Sequence, residues 1–145
     1  MADLDNALGS FFNHARQYKR SGREGYYLLL DDDEDALTVL TMVLADHGVT
    51  DVLTAMSVEE AKERVGDVGR DCIACAVVDY YLPDGIGMDF VEWMLEGGRE
   101  VPMFLYTASD EAVEEVFAKF PSLTPVLKGS VKALVEALFG PEPES

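Results

Sequence analysis

Polar residues that could do chemistry follow four of the apolar runs in the sequence. Acidic residues 31–35 follow the first run, Asp79 follows the third, Thr107 the fourth and Lys128 the fifth. Carboxylates that lie close together repel one another, and a divalent cation such as Mg²⁺ relieves that repulsion while also binding phosphate oxygens. A carboxylate can then attack a phosphoryl group, whose oxygens an ammonium and a hydroxyl group help to neutralise. These residue types therefore indicate phosphoryl transfer onto a carboxylate, provided that the fold brings them together.

The alternation of apolar runs with helical patterns predicts such a fold. The predicted strands are residues 26–30, 52–54, 72–78, 102–106 and 123–127, and apolar residues at helical spacing follow each of them. Strict alternation of this kind predicts an α/β domain, with one parallel sheet and helices on both faces. Because parallel strands share one carboxyl edge, the polar residues that follow them are expected to meet there.

The composition of the strands predicts their order in the sheet. The first, third and fourth runs are continuously apolar, as central parallel strands are. The second run is short and adjoins Asp51, and the fifth contains Pro125, which cannot donate a ladder hydrogen bond and prefers an edge strand. The expected order is therefore the flavodoxin-like 2-1-3-4-5, in which ligands bind beyond the carboxyl ends of the strands.

Four segments of the sequence resemble the CheY-like receiver domain of two-component response regulators. These segments are residues 28–34, 77–90, 104–109 and 126–128. The resemblance implies that Asp79 is the phosphoacceptor, that Asp32 binds Mg²⁺ directly and that Asp31 assists through water. The full set of implied metal ligands is Asp31, Asp32, Asp79 and the backbone carbonyl of Tyr81. The groups implied to hold the phosphoryl oxygens are Thr107, the backbone N–H of Ala108, and Lys128.

The resemblance also implies a signalling switch that catalyses only the phosphorylation and dephosphorylation of its own aspartate. It would not be an enzyme for an external substrate. A histidine kinase or phosphotransfer protein would donate the phosphoryl group, and the fourth helix, fifth strand and fifth helix would bind a protein target that the sequence does not name. Two positions depart from the family, which usually has an aromatic residue where this chain has Pro125 and a proline where it has Gly129. That aromatic residue normally moves with the hydroxyl residue, so we expect either that Tyr106 or another group reports the switch here, or that the output surface works differently.

Two other functions remain open at this stage. A receiver-like scaffold that binds a partner without phosphorylation would explain the changes at Pro125 and Gly129. A phosphatase or phosphotransferase of the haloacid dehalogenase class is suggested weakly by Asp31 and Asp33, although the chain is short for that class. Cys72 and Cys75 are interpreted as two small buried residues of a strand, since no further Cys/His pair completes a zinc site.

Length and charge bound the remaining properties. The 145 residues carry a formal net charge of −17, which disfavours direct binding to nucleic acid. No apolar run reaches the roughly 20 residues that span a bilayer, so we expect no membrane contact and a cytoplasmic protein. Residues 26–140 are predicted to form the receiver domain and residues 141–145 a disordered tail. Residues 1–25 are predicted to form a helical extension that docks on the domain or a partner, mediates homodimerisation, or remains loose.

Overall fold

The structure, a computed structural model, describes residues 24–97, 101–120 and 123–140, and along them the strands of the main sheet alternate with five α-helices. The strands of the main sheet are β1 (Tyr26–Leu30), β2 (Val52–Ala55), β3 (Ile73–Val78), β4 (Met103–Thr107) and β5 (Thr124–Leu127). The helices are α1 (Glu34–Asp46), α2 (Val58–Val68), α3 (Gly87–Glu96), α4 (Asp110–Lys119) and α5 (Val131–Phe139). Every predicted strand is found within one residue of its expected ends.

The main sheet is parallel throughout and has the order β2-β1-β3-β4-β5, which confirms the predicted topology. Successive residues of the interior strands pack alternately into two apolar cores, one on each face of the sheet. Leu28 and Leu30 of β1 pack with helices α2, α3 and α4, whereas Tyr27 and Leu29 pack with α1 and α5. Because both faces are covered, all residues of β3 and β4 are buried, which explains their continuously apolar sequence.

One detail of the sequence prediction is wrong. Cys72 is exposed and lies in a 3₁₀ turn before β3, so only Cys75 is a buried strand residue. Two apolar residues at helical spacing, Leu95 of α3 and Phe117 of α4, are 42% and 58% exposed, whereas Phe90 of α3 is fully buried. The core therefore covers only part of the apolar surface of these two helices.

The N-terminus of α2 is capped by two side chains close to it in sequence. The hydroxyl of Ser57 accepts a hydrogen bond from the Glu60 backbone N–H at 3.1 Å. The Glu60 carboxylate accepts from the N–H of Met56, the residue before Ser57, at 3.0 Å. The arrangement is a variant of the capping box, in which the Glu carboxylate would accept from the N–H of Ser57 itself.

A distant residue, Asp84, completes the cap of α2. Its two carboxylate oxygens accept hydrogen bonds from the backbone N–H groups of Val58 and Glu59, at 2.9 and 3.0 Å. These bonds keep the pKa of Asp84 below its ordinary value. Asp84 belongs to the short antiparallel ribbon of Tyr81–Leu82 and Gly85–Ile86, which follows Asp79. The cap therefore attaches the segment that follows Asp79 to the N-terminus of α2.

The predicted N-terminal extension and tail lie almost entirely outside the described residues, and both stay predictions. None of the helices that the structure describes is both long and apolar enough to cross a membrane.

Replacing Asp84 by asparagine tests the cap. Because the folded-state pKa of Asp84 is lowered, its contribution to stability is present above the ordinary carboxyl pKa and is lost as the pH falls through the folded-state value. We expect Asp84→Asn to lower the free energy of unfolding at neutral pH by about 0.5–1 kcal/mol, because asparagine keeps one acceptor oxygen but loses the second acceptor and the negative charge that a helix N-terminus favours. Urea denaturation at pH 7 and near pH 3 measures the difference, which should shrink in acid. Asp67→Asn, at the other end of α2, is the control, and an equal loss there would contradict the cap.

Candidate functional site

The predicted site residues meet at the carboxyl edge of the sheet. Asp31, Asp79 and Lys128 each follow a strand directly and continue its hydrogen-bonded ladder. The N–H of Asp31 donates to Ala55 at 3.0 Å, that of Asp79 to Leu30 at 2.8 Å and that of Lys128 to Thr107 at 2.8 Å. The backbone of each of these three residues is therefore held by hydrogen bonds to the neighbouring strand, and its side chain extends from a well-defined position.

The five acidic residues after β1 have different environments. Asp31 is 3% exposed, and its Oδ1 accepts a hydrogen bond from the N–H of Asp33 at 2.9 Å. Asp32 is exposed beside it. The side chain of Asp33 caps α1, and Glu34 and Asp35 lie in the first turn of that helix, where the helix dipole favours acids. Only the first two of the five residues therefore contribute to the site.

Three carboxylates form one cluster. Asp31, Asp32 and Asp79 each offer an oxygen, and these oxygens lie within 4.8 Å of one another. Such a set of hard oxygen ligands suits Mg²⁺, which commonly binds through one or two carboxylates and keeps several waters. The prediction that these three side chains lie together is met by the geometry.

The ammonium group of Lys128 bridges two of the carboxylates. Its Nζ lies 2.6 Å from Asp31 Oδ2 and 3.1 Å from Asp79 Oδ2, and all three side chains are largely buried. Nζ also lies 5.9 Å from the centre of the Tyr106 ring, within the range of a cation–π contact. Burial acts to lower the pKa of Lys128, but the hydrogen bonds to Asp31 and Asp79 outweigh it and raise the pKa. The lysine is therefore held in its charged form.

Asp79 is oriented by contacts to both of its oxygens. Oδ1 accepts a hydrogen bond from the backbone N–H of Tyr80 at 2.8 Å, while Oδ2 faces Lys128. Burial and the neighbouring charge of Asp31 raise the pKa of Asp79, and Lys128 opposes this rise. A divalent cation in the cluster would favour the ionised form, which is the nucleophilic one.

An open cavity of about 370 Å³ gives access to the cluster. Its lining residues are Asp32, Asp79, Tyr81, Thr107, Ala108, Ser109 and Lys128. Every predicted site residue lines the cavity except Asp31, which is bound to Lys128. Ser109, which is not among the predicted site residues, caps α4 by accepting a 3.1 Å hydrogen bond from the N–H of Ala112, and it also lines the cavity. The cavity leaves room for a phosphoryl group between Asp79 and the segment that begins α4.

A glycine after the ribbon allows α3 to approach the site closely. The N–H of Gly87 donates to the carbonyl of Tyr80 at 2.7 Å. A Cβ atom on Gly87 would overlap the carbonyl oxygen of Asp79 and lie 2.5 Å from Cγ1 of Val78. The position of Asp79 therefore depends on a residue without a side chain eight positions later, which the sequence analysis did not identify.

Two glycine-to-alanine substitutions should have opposite effects on stability. Gly87→Ala forces a methyl group against buried backbone, so we expect the free energy of unfolding to fall by about 2 kcal/mol or more. Gly66→Ala in α2 meets no atom within 4 Å, and it should raise that free energy by about 0.5–1 kcal/mol because alanine favours helix. Urea denaturation of both variants measures the contrast. A Gly87→Ala protein as stable as the wild type would contradict the close packing on Asp79.

The chain belongs to the response regulator receiver domain family, whose model matches residues 27–120. The response regulator protein PilR of Pseudomonas aeruginosa is 31% identical over 113 residues, which cover 74% of this chain and 24% of PilR. The transcriptional regulatory protein TrcR of Mycobacterium tuberculosis is 33% identical over 89 residues, which cover 61% of this chain and 34% of TrcR. The chain therefore spans about a quarter to a third of the length of these two relatives.

Solved structures share the fold. The CheY of a CheX–CheY complex from Borrelia burgdorferi superposes with a TM-score of 0.70 at 19% identity, over 86% of this chain and 93% of that chain. At this identity the likeness bears on the fold alone. The family membership confirms the resemblance drawn from the four sequence segments and excludes the haloacid dehalogenase alternative.

Proposed function

We propose that this receiver domain is a phosphorylation-dependent signalling switch in which Asp79 accepts the phosphoryl group with the help of Mg²⁺. The observation that carries the proposal is the bridge of Lys128 between Asp31 and Asp79 at the base of an open cavity. The bridge joins the Asp79 carboxylate, an ammonium group and a further acidic side chain, which supports a role for Asp79 as nucleophile and for Lys128 as a cation that binds the transferred oxygens.

The chain's own groups support each part of the transfer. An oxygen of Asp79 would form the new bond to phosphorus while the bond between phosphorus and the donor breaks. Lys128, the hydroxyl of Thr107 and the N–H of Ala108 would hold the phosphoryl oxygens, whose negative charge must be neutralised in the transition state. Mg²⁺, held by Asp31, Asp32, Asp79 and the carbonyl of Tyr81, would supply further charge neutralisation. Water would later attack the phosphorus, so that the bond to Asp79 breaks and inorganic phosphate leaves; both steps take place on the domain's own carboxylate.

The partners follow from the same proposal. A histidine kinase or a phosphotransfer protein would donate the phosphoryl group. A protein target would bind the surface of α4, β5 and α5, where Phe117 is 58% and Leu127 45% exposed. The Borrelia CheY was solved in a complex with CheX, BeF₃ and Mg²⁺, which supports partner binding here by likeness. The net charge of −17 favours a protein target over nucleic acid.

Phosphorylation by a small donor tests the proposal directly. Incubation with acetyl phosphate and Mg²⁺ should retard a fraction of the wild-type chain on a Phos-tag gel, because Asp79 then carries a phosphoryl group. Asp79→Asn and wild type without Mg²⁺ should not be retarded, whereas Asp67→Asn should behave as wild type. Samples are quenched within seconds so that hydrolysis does not hide the product. A folded wild-type chain that is never retarded would favour the phosphorylation-independent scaffold.

Mg²⁺ binding has its own signature in thermal unfolding. At a concentration ten times the dissociation constant, binding to the folded chain alone adds about 1.4 kcal/mol to the free energy of unfolding, so the midpoint should rise by about 4 °C. Asp32→Asn should abolish most of this rise because it removes a ligand. Asp35→Asn removes an equal charge from the first turn of α1 and should keep the rise. Equal responses of the two variants to Mg²⁺ in a calorimetric scan would place the ion elsewhere.

A further inference from the structure

We infer that Tyr80 is a positioning residue whose hydrogen bond to Glu115 ties Asp79 to helix α4 and limits how readily the site takes up a phosphoryl group. The inference rests on the proposed function.

Tyr80 is held at both its backbone and its ring. Its N–H donates to Asp79 Oδ1 at 2.8 Å, and its carbonyl accepts from Gly87 at 2.7 Å. The phenol O–H donates to Oε2 of Glu115 at 3.1 Å, across 35 positions of sequence. Tyr80 is 5% exposed, so its ring has little freedom to leave this position. A single residue therefore contacts the phosphoacceptor with one end and α4 with the other.

The ring of Tyr80 also supports the site from the side. It meets the ring of Tyr81 edge to face with centroids 4.8 Å apart, and Tyr81 lines the cavity above Asp79. On its other side, Tyr80 borders a cavity of about 60 Å³ between α3 and α4. That space leaves room for α4 to shift if the hydrogen bond to Glu115 is lost.

The site is also connected to α4 directly along the chain. The groups proposed to hold the phosphoryl oxygens lie on residues 107–109, and α4 begins at Asp110. The N–H of Ser109 donates to the hydroxyl of Thr107 at 3.4 Å, and Ser109 caps the helix. Movement of this segment toward a phosphoryl group on Asp79 therefore displaces the first turn of α4. The Tyr80–Glu115 bond holds the second turn, so it opposes that displacement.

Affinity for a phosphoryl analogue measures this restraint. The probe is beryllium fluoride with saturating Mg²⁺, titrated calorimetrically into the full chain. If the bond favours the unphosphorylated arrangement, removing it shifts the population toward the binding-competent one. A hydrogen bond of ordinary net strength corresponds to roughly threefold to tenfold tighter binding in Tyr80→Phe and in Glu115→Ala. The double variant should bind no tighter than either single variant, since both remove the same bond.

Matched variants separate this effect from a general loss of structure. Glu115→Gln keeps an acceptor for the phenol and should stay near the wild-type affinity. Glu114→Ala removes an exposed acid one position away, and Lys119→Ala removes the residue 4.0 Å from Glu115 Oε1; both should bind as wild type. Urea denaturation of every variant tests whether affinity merely follows stability, which a purely structural role of Tyr80 would require.

The outcomes distinguish the two proposals. A wild-type chain that binds beryllium fluoride, together with a Tyr80→Phe variant that binds within twofold of it or more weakly, overturns the role of Tyr80 and leaves the proposed function intact. A folded wild-type chain that does not bind beryllium fluoride overturns both. Tighter binding that is additive in the double variant also contradicts the shared bond.

Discussion

The repulsion among three carboxylates at one edge of the sheet is the constraint around which the rest of the site is arranged. Asp31 and Asp79 are largely buried, and a buried charge without a partner is costly. Lys128 compensates both, and its distances of 2.6 and 3.1 Å show that it is shared between them. An acidic cluster with one bridging cation has excess negative charge, which is the electrostatic condition for binding a divalent ion and then a phosphoryl group.

This arrangement depends on the order of the strands. Asp31 and Asp79 follow β1 and β3, which are neighbours in the middle of the sheet, whereas Lys128 follows the edge strand β5. The lysine reaches the acids across β4, where it passes the buried Tyr106 ring and leaves Thr107 at the rim of the cavity. The long side chain of lysine spans that distance, with Nζ 2.6 Å from Asp31 and 3.1 Å from Asp79. The sheet order therefore explains why the cation, the hydroxyl and the acids come from different strands.

Much of this could be predicted from the sequence because it follows from local patterns. Continuous apolar runs mark the interior strands, Pro125 marks an edge strand, and residues that follow parallel strands must share one edge. The contacts made by Asp84 and Tyr80 could not be predicted. They join residues 25 to 35 positions apart in sequence, and no local sequence pattern indicates that these residues meet. The exposure of Phe117 and the turn at Cys72 were also not predicted. Helical spacing of apolar residues does not show which of them the core covers, and an apolar run does not show at which residue its strand begins.

The last strand and the turn after it depart from the family at two positions, yet the contacts of Lys128 are present. Pro125 occupies the position where the family usually has an aromatic residue, and it pairs in register with Leu105 at the edge of the sheet. Gly129 has a φ of +117°, which proline, fixed near −65°, cannot adopt, so the turn after Lys128 differs from one built on the family's usual proline. Neither change moves Lys128 away from Asp31 and Asp79. Because β5 carries no aromatic ring, the coupling that we propose between Asp79 and α4 would use another side chain beside Asp79, and Tyr80 occupies that position.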